Sequence, residues 1–195
     1  MRVAIVFNHP YKGSYCNAIL EAVMAGLHKA NHEIDLIHLD EDGFNPVMTA
    51  ADLKAFKDRA PIDPQSLAYK QRIDKADHLV FIFPIWWELM PAMTKGFIDK
   101  VIFPGIAYDY KPNGFMMKKW EKLKSVTVIT TMNTASIVYR LIFGNAIRKA
   151  MMTGTFWKMG YKKRKWINLG MVKTVSDTKR KKWLAMIEKR FAALN

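Results

Sequence analysis

Short runs of almost unbroken apolar residues, set between longer segments of helical period, constrain this chain most. The runs are Arg2–Asn8, Glu33–Leu39, His78–Phe83, Ser125–Thr131 and Trp166–Val172. Each has the length of a strand, and a strand that is apolar on both faces must be covered on both. The first, third and fourth runs are of this kind and belong in the middle of a sheet. Between the first two runs Ser14 stands where an N-cap should, and Leu20, Val23, Met24 and Leu27 recur at spacings of three and four, one face of a helix. Near the far end Ser176 or Asp177 caps a closing helix whose Leu184, Ile187, Phe191 and Leu194 form another apolar stripe. Strand and helix alternating in this way predict an α/β fold, a three-layer sandwich with helices on both faces of a five-stranded parallel sheet. The segment Asp40–Pro64, with Gly43, Pro46 and Pro61, reads as a long surface excursion holding at most one short helix.

With 195 residues, half of them apolar, the chain fits one domain over residues 1–195 with a sizeable core. Cys16 is the single cysteine, so no intrachain disulfide forms, and the five histidines show no metal-ligand spacing. The expected metal content is none and the expected location is cytoplasmic. The start, Met1 to Pro10, lacks the apolar length and small-residue cleavage site of a signal peptide. The apolar stretch Ser136–Trp157 is broken by Arg140, Arg148 and Lys149, whereas a span needs about 20 largely uncharged residues.

Charge is divided unequally. Residues 1–117 hold 12 Lys/Arg and 14 Asp/Glu, while residues 118–195 hold 19 Lys/Arg against Glu121, Asp177 and Glu188. Lys158–Trp166 and Lys179–Trp183 are the densest pieces, read as a solvated basic face able to attract polyanions. No nucleic-acid-binding motif accompanies them, so nucleic acid is an unlikely partner.

Three loops at the carboxyl ends of the central strands carry the chemistry, and that is where open α/β sheets bind ligands. His9-Pro10-Tyr11-Lys12-Gly13-Ser14 joins a strand to a helix N-terminus, where unpaired N–H groups and the helix dipole favour phosphate. It is not the G-x-G-x-x-G turn of nicotinamide-binding Rossmann folds, which favours the strand order 2-1-3-4-5. In Pro84-Ile85-Trp86-Trp87-Glu88 a proline is expected to end the ladder pairing of its strand, and paired indoles follow, able to stack on a planar ring. Pro91 is placed to open a helix. Thr130-Thr131-Met132-Asn133 offers backbone N–H groups to the edge of a heterocycle. Together, one phosphate loop, one stacking loop and one polar loop describe a flavin site.

On these residues the chain resembles the flavodoxin-like NAD(P)H:quinone oxidoreductases. The matching blocks are His9-Pro10-x-x-x-Ser14-Tyr15, Phe83-Pro84-Ile85-Trp86-Trp87, Pro91-Ala92-x-x-Lys95-Gly96-Phe97 and Gly105-Ile106-Ala107-Tyr108. The resemblance covers roughly residues 2–140. It implies a flavodoxin-like homodimer that binds FAD, with FMN as the alternative, and passes hydride from NAD(P)H to a quinone or similar small acceptor. It also implies that His9, Tyr15 and Cys16 meet flavin phosphates and sugar, that Ile85 to Glu88 meet the isoalloxazine, and that Thr130 to Asn133 meet its polar edge. Two glycines of the family's Thr-Thr-Gly-Gly loop are Met132 and Asn133 here. Of the family's Tyr and His pair only Tyr139 is matched, and it is the expected catalytic proton donor. The alternative function is a non-catalytic flavin-binding subunit docked on a membrane transporter through the basic face.

Overall fold

The computed structural model describes residues 1–195. The chain runs β1 (Arg2–Phe7), α1 (Tyr15–Lys29), β2 (Glu33–His38), α2 (Ala50–Asp58), α3 (Pro64–Asp74), β3 (His78–Pro84), α4 (Ala92–Val101), β4 (Tyr108–Tyr110) and β5 (Met116–Lys118). It continues with β6 (Ser125–Thr131), α5 (Ser136–Leu141), a π-helix (Arg148–Trp157), β7 (Lys163–Leu169) and α6 (Asp177–Ala192). Five strands form one parallel sheet in the order β2-β1-β3-β6-β7, which is 2-1-3-4-5 when its strands are counted along the chain. The expected α/β fold and strand order therefore hold. β4 and β5 form a separate antiparallel hairpin that sequence reading did not foresee.

The three strands read as central are the buried ones, because each must be apolar on both faces. One core lies between the sheet and α1 and α6, where Leu20, Val23 and Leu27 meet Ile187 and Phe191. The two helices approach so closely that a Cβ on Gly26 would stand 2.4 Å from the Glu188 carbonyl oxygen. The other core joins Phe81, Phe83, Phe97, Trp120, Phe156 and Tyr161 on the opposite face.

Two expectations need correction. The last sheet strand is Lys163–Leu169 and not Trp166–Val172. As an edge strand it can hold Lys163 and Lys165 toward solvent, and charge there protects an open edge. Its end is set where Met171 takes φ +57. Pro84 does not end the ladder: it stands opposite Thr131 in register, and the Ile85 N–H donates to the Thr131 carbonyl at 2.7 Å. The excursion after β2 holds one short helix, α2, as read, and α3 opens at its end. Thr49 and Asp52 close a reciprocal capping box on α2, and Asp63 caps α3 ahead of Pro64.

Candidate functional site

Loops after β1, β3 and β6 meet at one end of the sheet. In the first, Ser14 caps α1 by accepting from the Asn17 N–H at 3.1 Å. The N–H groups of Lys12, Gly13, Tyr15 and Cys16 find no acceptor in the chain, so they face outward as a nest for an anion at the positive end of the helix. His9 Nδ1 accepts from the Tyr11 N–H at 3.1 Å, which leaves Nε2 to carry the proton of the neutral ring and donate it. Burial pushes the His9 pKa down, against the opposing pull of Asp40. Its ring meets Trp86 edge to face, 6.1 Å between centroids. Below them Asn8, unremarked in the sequence, donates to Asp40 at 2.9 Å and accepts from Thr94 at 2.9 Å, tying β1 to β2 and α4.

The second loop is a two-residue hairpin turn. Trp86 and Leu89 exchange both backbone hydrogen bonds, at 2.9 and 3.0 Å, while Trp87 and Glu88 take φ of +50° and +62°. That is a mirror-image turn normally built from Asn and Gly, and side chains at two such positions cost on the order of 1–3 kcal/mol each. The surroundings enforce it. Thr134 Oγ1 donates to Glu88 Oε1 at 2.6 Å, and the Tyr139 hydroxyl donates to the Glu88 carbonyl at 3.0 Å. Glu88 Oε2 is enclosed without a partner. The result is a Trp87 side chain 98 % exposed and a Trp86 half-exposed, so neither ring is core packing. The N–H groups of Trp87, Glu88, Asn133 and Thr134 are unpaired and lie on the two loops joined by the Thr134–Glu88 bond.

The third loop differs from its sequence reading in which atoms face the ligand. Thr130 Oγ1 is buried, donating to Asn168 Oδ1 at 2.9 Å and accepting from Trp166 Nε1 at 3.0 Å. Thr131 Oγ1 is 3.2 Å from Cys16 Sγ. Met132 turns into the core beside Asn168, its N–H held by the Leu169 carbonyl at 3.0 Å. The Asn133 side chain accepts from the Lys173 N–H at 3.2 Å. The backbone N–H groups of Asn133 and Thr134, with the exposed Asn133 amide nitrogen, are left to meet a ligand edge. Met132 in place of a glycine therefore obstructs nothing, since its side chain points away. Gly170 is what allows this: a Cβ there would come within 2.8 Å of Ser136 Oγ and 3.1 Å of the Thr134 carbonyl oxygen.

Three side chains proposed from sequence are engaged within the protein. Cys16 is 2 % exposed, and burial pushes its thiol up to about 11, which gives an inert thiol. The Tyr15 hydroxyl donates to the Arg180 carbonyl at 2.7 Å, and burial lifts its pKa to about 12. Tyr139 is 1 % exposed, and its oxygen also accepts from the Ile147 N–H at 2.9 Å, so it holds the tryptophan turn and is not placed to donate a proton to a ligand. Burial raises its pKa as well. Thr134 was legible only as part of a hydroxyl-rich loop and Gly170 gave no signal in sequence, because their roles exist only once loops distant along the chain are adjacent.

No cluster of His, Cys, Asp or Glu able to hold a metal ion occurs. Two cavities lie elsewhere, one of about 480 Å³ between α2, α4, the β4–β5 hairpin and the π-helix, the other of about 730 Å³ between the β4–β5 turn and the π-helix.

Comparison with known proteins agrees with this architecture. An uncharacterized NAD(P)H oxidoreductase of Escherichia coli K12, YcaK, is 32 % identical over 108 residues, 55 % of each chain. The chain spans about half the length of the first curated relatives it matches. The structure of Smu.1420 from Streptococcus mutans UA159 superposes with TM-score 0.87 at 30 % identity, covering 100 % of both chains. That of an NAD(P)H:quinone oxidoreductase from Methanothermobacter marburgensis gives 0.89 at 25 % identity, covering 100 % of this chain and 99 % of its own. The family model described as "Flavodoxin-like fold" matches residues 1–191, and the chain belongs to that family.

Proposed function

We propose that the chain, as one domain, is a flavin-dependent oxidoreductase that takes hydride from NAD(P)H and passes it to a quinone or similar small acceptor. The observation that carries this reading is the enforced Trp86–Leu89 turn. It spends backbone strain to hold two indoles out of the core, beside an anion nest and a row of unpaired N–H groups. The names of the relatives support the same chemistry.

In this reading the nest at Lys12–Cys16 takes the flavin phosphate, with Ser14 completing the cap behind it and His9 Nε2–H donating from the side. Trp86 and Trp87 wall the isoalloxazine, Ile85 and Pro84 form its floor, and the N–H groups of Asn133 and Thr134 meet its polar edge. The flavin supplies hydride acceptance and release, and the chain supplies stacking, orientation and fixed donors. Tyr139 serves by positioning the turn. We read the flavin as FAD, with FMN as the alternative, the working form as a cytoplasmic homodimer, and the cationic carboxyl-terminal part as an attraction for the extra phosphate of NADPH.

Purified protein should be yellow, and heat-released flavin identifies FAD or FMN by chromatography. Colourless protein that leaves FAD and FMN fluorescence unchanged on titration overturns the proposal. Bound flavin without NAD(P)H oxidation toward any quinone supports instead a non-catalytic flavin subunit, the reading favoured by the burial of Tyr139.

A further inference from the structure

Residues 122–176 contain no Asp or Glu and 11 Lys or Arg. Inside this stretch α5 ends in Leu141, followed by Ile142 and Phe143, three adjacent large apolar residues. No neighbouring element covers them: Leu141 is 70 % exposed, Ile142 72 %, and Ile137 one turn earlier 61 %. They stand on a rigid mount. The Ile142 N–H donates to the Val138 carbonyl at 2.8 Å, Gly144 and Asn145 turn the chain with φ of +66° and +59°, and the Asn145 N–H returns to the Tyr139 carbonyl at 3.0 Å. Exposed Arg140 and Lys149 flank this tip, the Lys149 ammonium lying 3.4 Å from where a Cβ on Gly144 would be, whereas Arg148 stands beside Arg164 and Lys165 of β7.

We propose that the α5 tip, Ile137 and Leu141–Phe143 with Arg140 and Lys149, is a docking surface for an anionic lipid bilayer. Apolar side chains enter the boundary between headgroups and acyl chains while the cations meet lipid phosphates. Charge selects this occupant. A second copy would have to bring acids to these cations from a distant part of its surface, since residues 118–195 hold only Glu121, Asp177 and Glu188. Nucleic acid would satisfy the cations and leave the apolar tip in water. No helix of the chain is long and apolar enough to cross a membrane, so the contact is interfacial. Docking stands without the flavin reading. Where that reading also holds, the tip lies beside the tryptophan turn through the Tyr139–Glu88 bond, and the acceptor class is a lipid-dissolved quinone.

The test is flotation of the full chain with vesicles of phosphatidylcholine, alone or with about one third phosphatidylglycerol. The protein should float with the anionic vesicles only. Leu141→Ser with Ile142→Ser leaves net charge unchanged and should lower the partition constant roughly tenfold or more. Arg140→Glu with Lys149→Glu should lower it more than Lys181→Glu with Lys182→Glu on α6, across the sheet from α5. Circular dichroism confirms that each variant is folded. Undiminished flotation of the Leu141/Ile142 variant, or no flotation with anionic vesicles, overturns the proposal. So does a smaller oligomeric mass of that variant without lipid, which would make the tip an interface between copies. Colourless protein that floats and leaves FAD and FMN fluorescence unchanged on titration overturns the flavin reading alone.

Discussion

The Tyr139 hydroxyl donates to the Glu88 carbonyl at 3.0 Å, and through that bond α5 holds the turn that exposes Trp86 and Trp87. The same oxygen accepts from the Ile147 N–H, so one buried phenol joins the tryptophan turn, α5 and the start of the π-helix. A group used in this way acts by placement.

Tyr139→Phe keeps the ring and removes both bonds, leaving the Ile147 N–H and the Glu88 carbonyl without a partner. Stability should fall by about 1–3 kcal/mol, read by urea denaturation. Flavin affinity should fall as the turn loosens, while the pH profile of turnover keeps its shape. A profile that lost its alkaline limb would return Tyr139 to the role of proton donor.

Trp87→Ala removes a side chain that packs on nothing in the protein. The melting temperature should stay unchanged, and the flavin Kd should rise roughly tenfold to a hundredfold, the worth of a stacked planar ring. Fluorescence titration with FAD and FMN measures it, and an unchanged Kd would mean that the ring binds elsewhere.

Ser14→Ala takes the acceptor from the Asn17 N–H and weakens the start of α1. The expected loss is about 1 kcal/mol of stability, with Ser14→Gly costing only a few tenths. Flavin affinity should drop in both, because both lack the hydroxyl beside the phosphate nest.

His78 predicts the acid response. Its ring lies between Ser125 Oγ at 2.6 Å and Thr127 Oγ1 at 3.0 Å, and burial, aided by Arg190, lowers its pKa to about 4. A base with a depressed folded pKa binds fewer protons than the unfolded chain, so its stabilising contribution is complete above about 6.5 and is lost as pH falls toward 4. The full effect is on the order of 3 kcal/mol. Thermal melts between pH 7 and pH 4 should show this slope, and His78→Gln should flatten it.

The sheet was legible because a parallel sheet covered on both faces demands strands that are apolar throughout, and β1, β3 and β6 meet that demand in plain composition. β7 was misplaced by three residues for the converse reason, since an edge strand tolerates Lys163-Arg164-Lys165 and its boundary is not written in hydrophobicity. The site was legible as three loops in the right places. Which atoms of those loops face a ligand was not, because Cys16, Thr130 and Met132 turn inward only when their strands are paired.

By itself the sequence determined the alternation of buried strands and amphipathic helices, its first loop favoured the sheet order, and it marked Trp86 and Trp87 as a stacking pair at a strand end. Those are consequences of hydrophobic period and local turn chemistry, readable within a few residues. Only the tertiary structure decided that Trp87 and Glu88 occupy left-handed backbone, that Tyr139 and Thr134 clamp them there, and that Leu141 to Phe143 stand uncovered. Such features depend on contacts between segments some fifty residues apart, as in the Tyr139–Glu88 bond, and no local pattern encodes those.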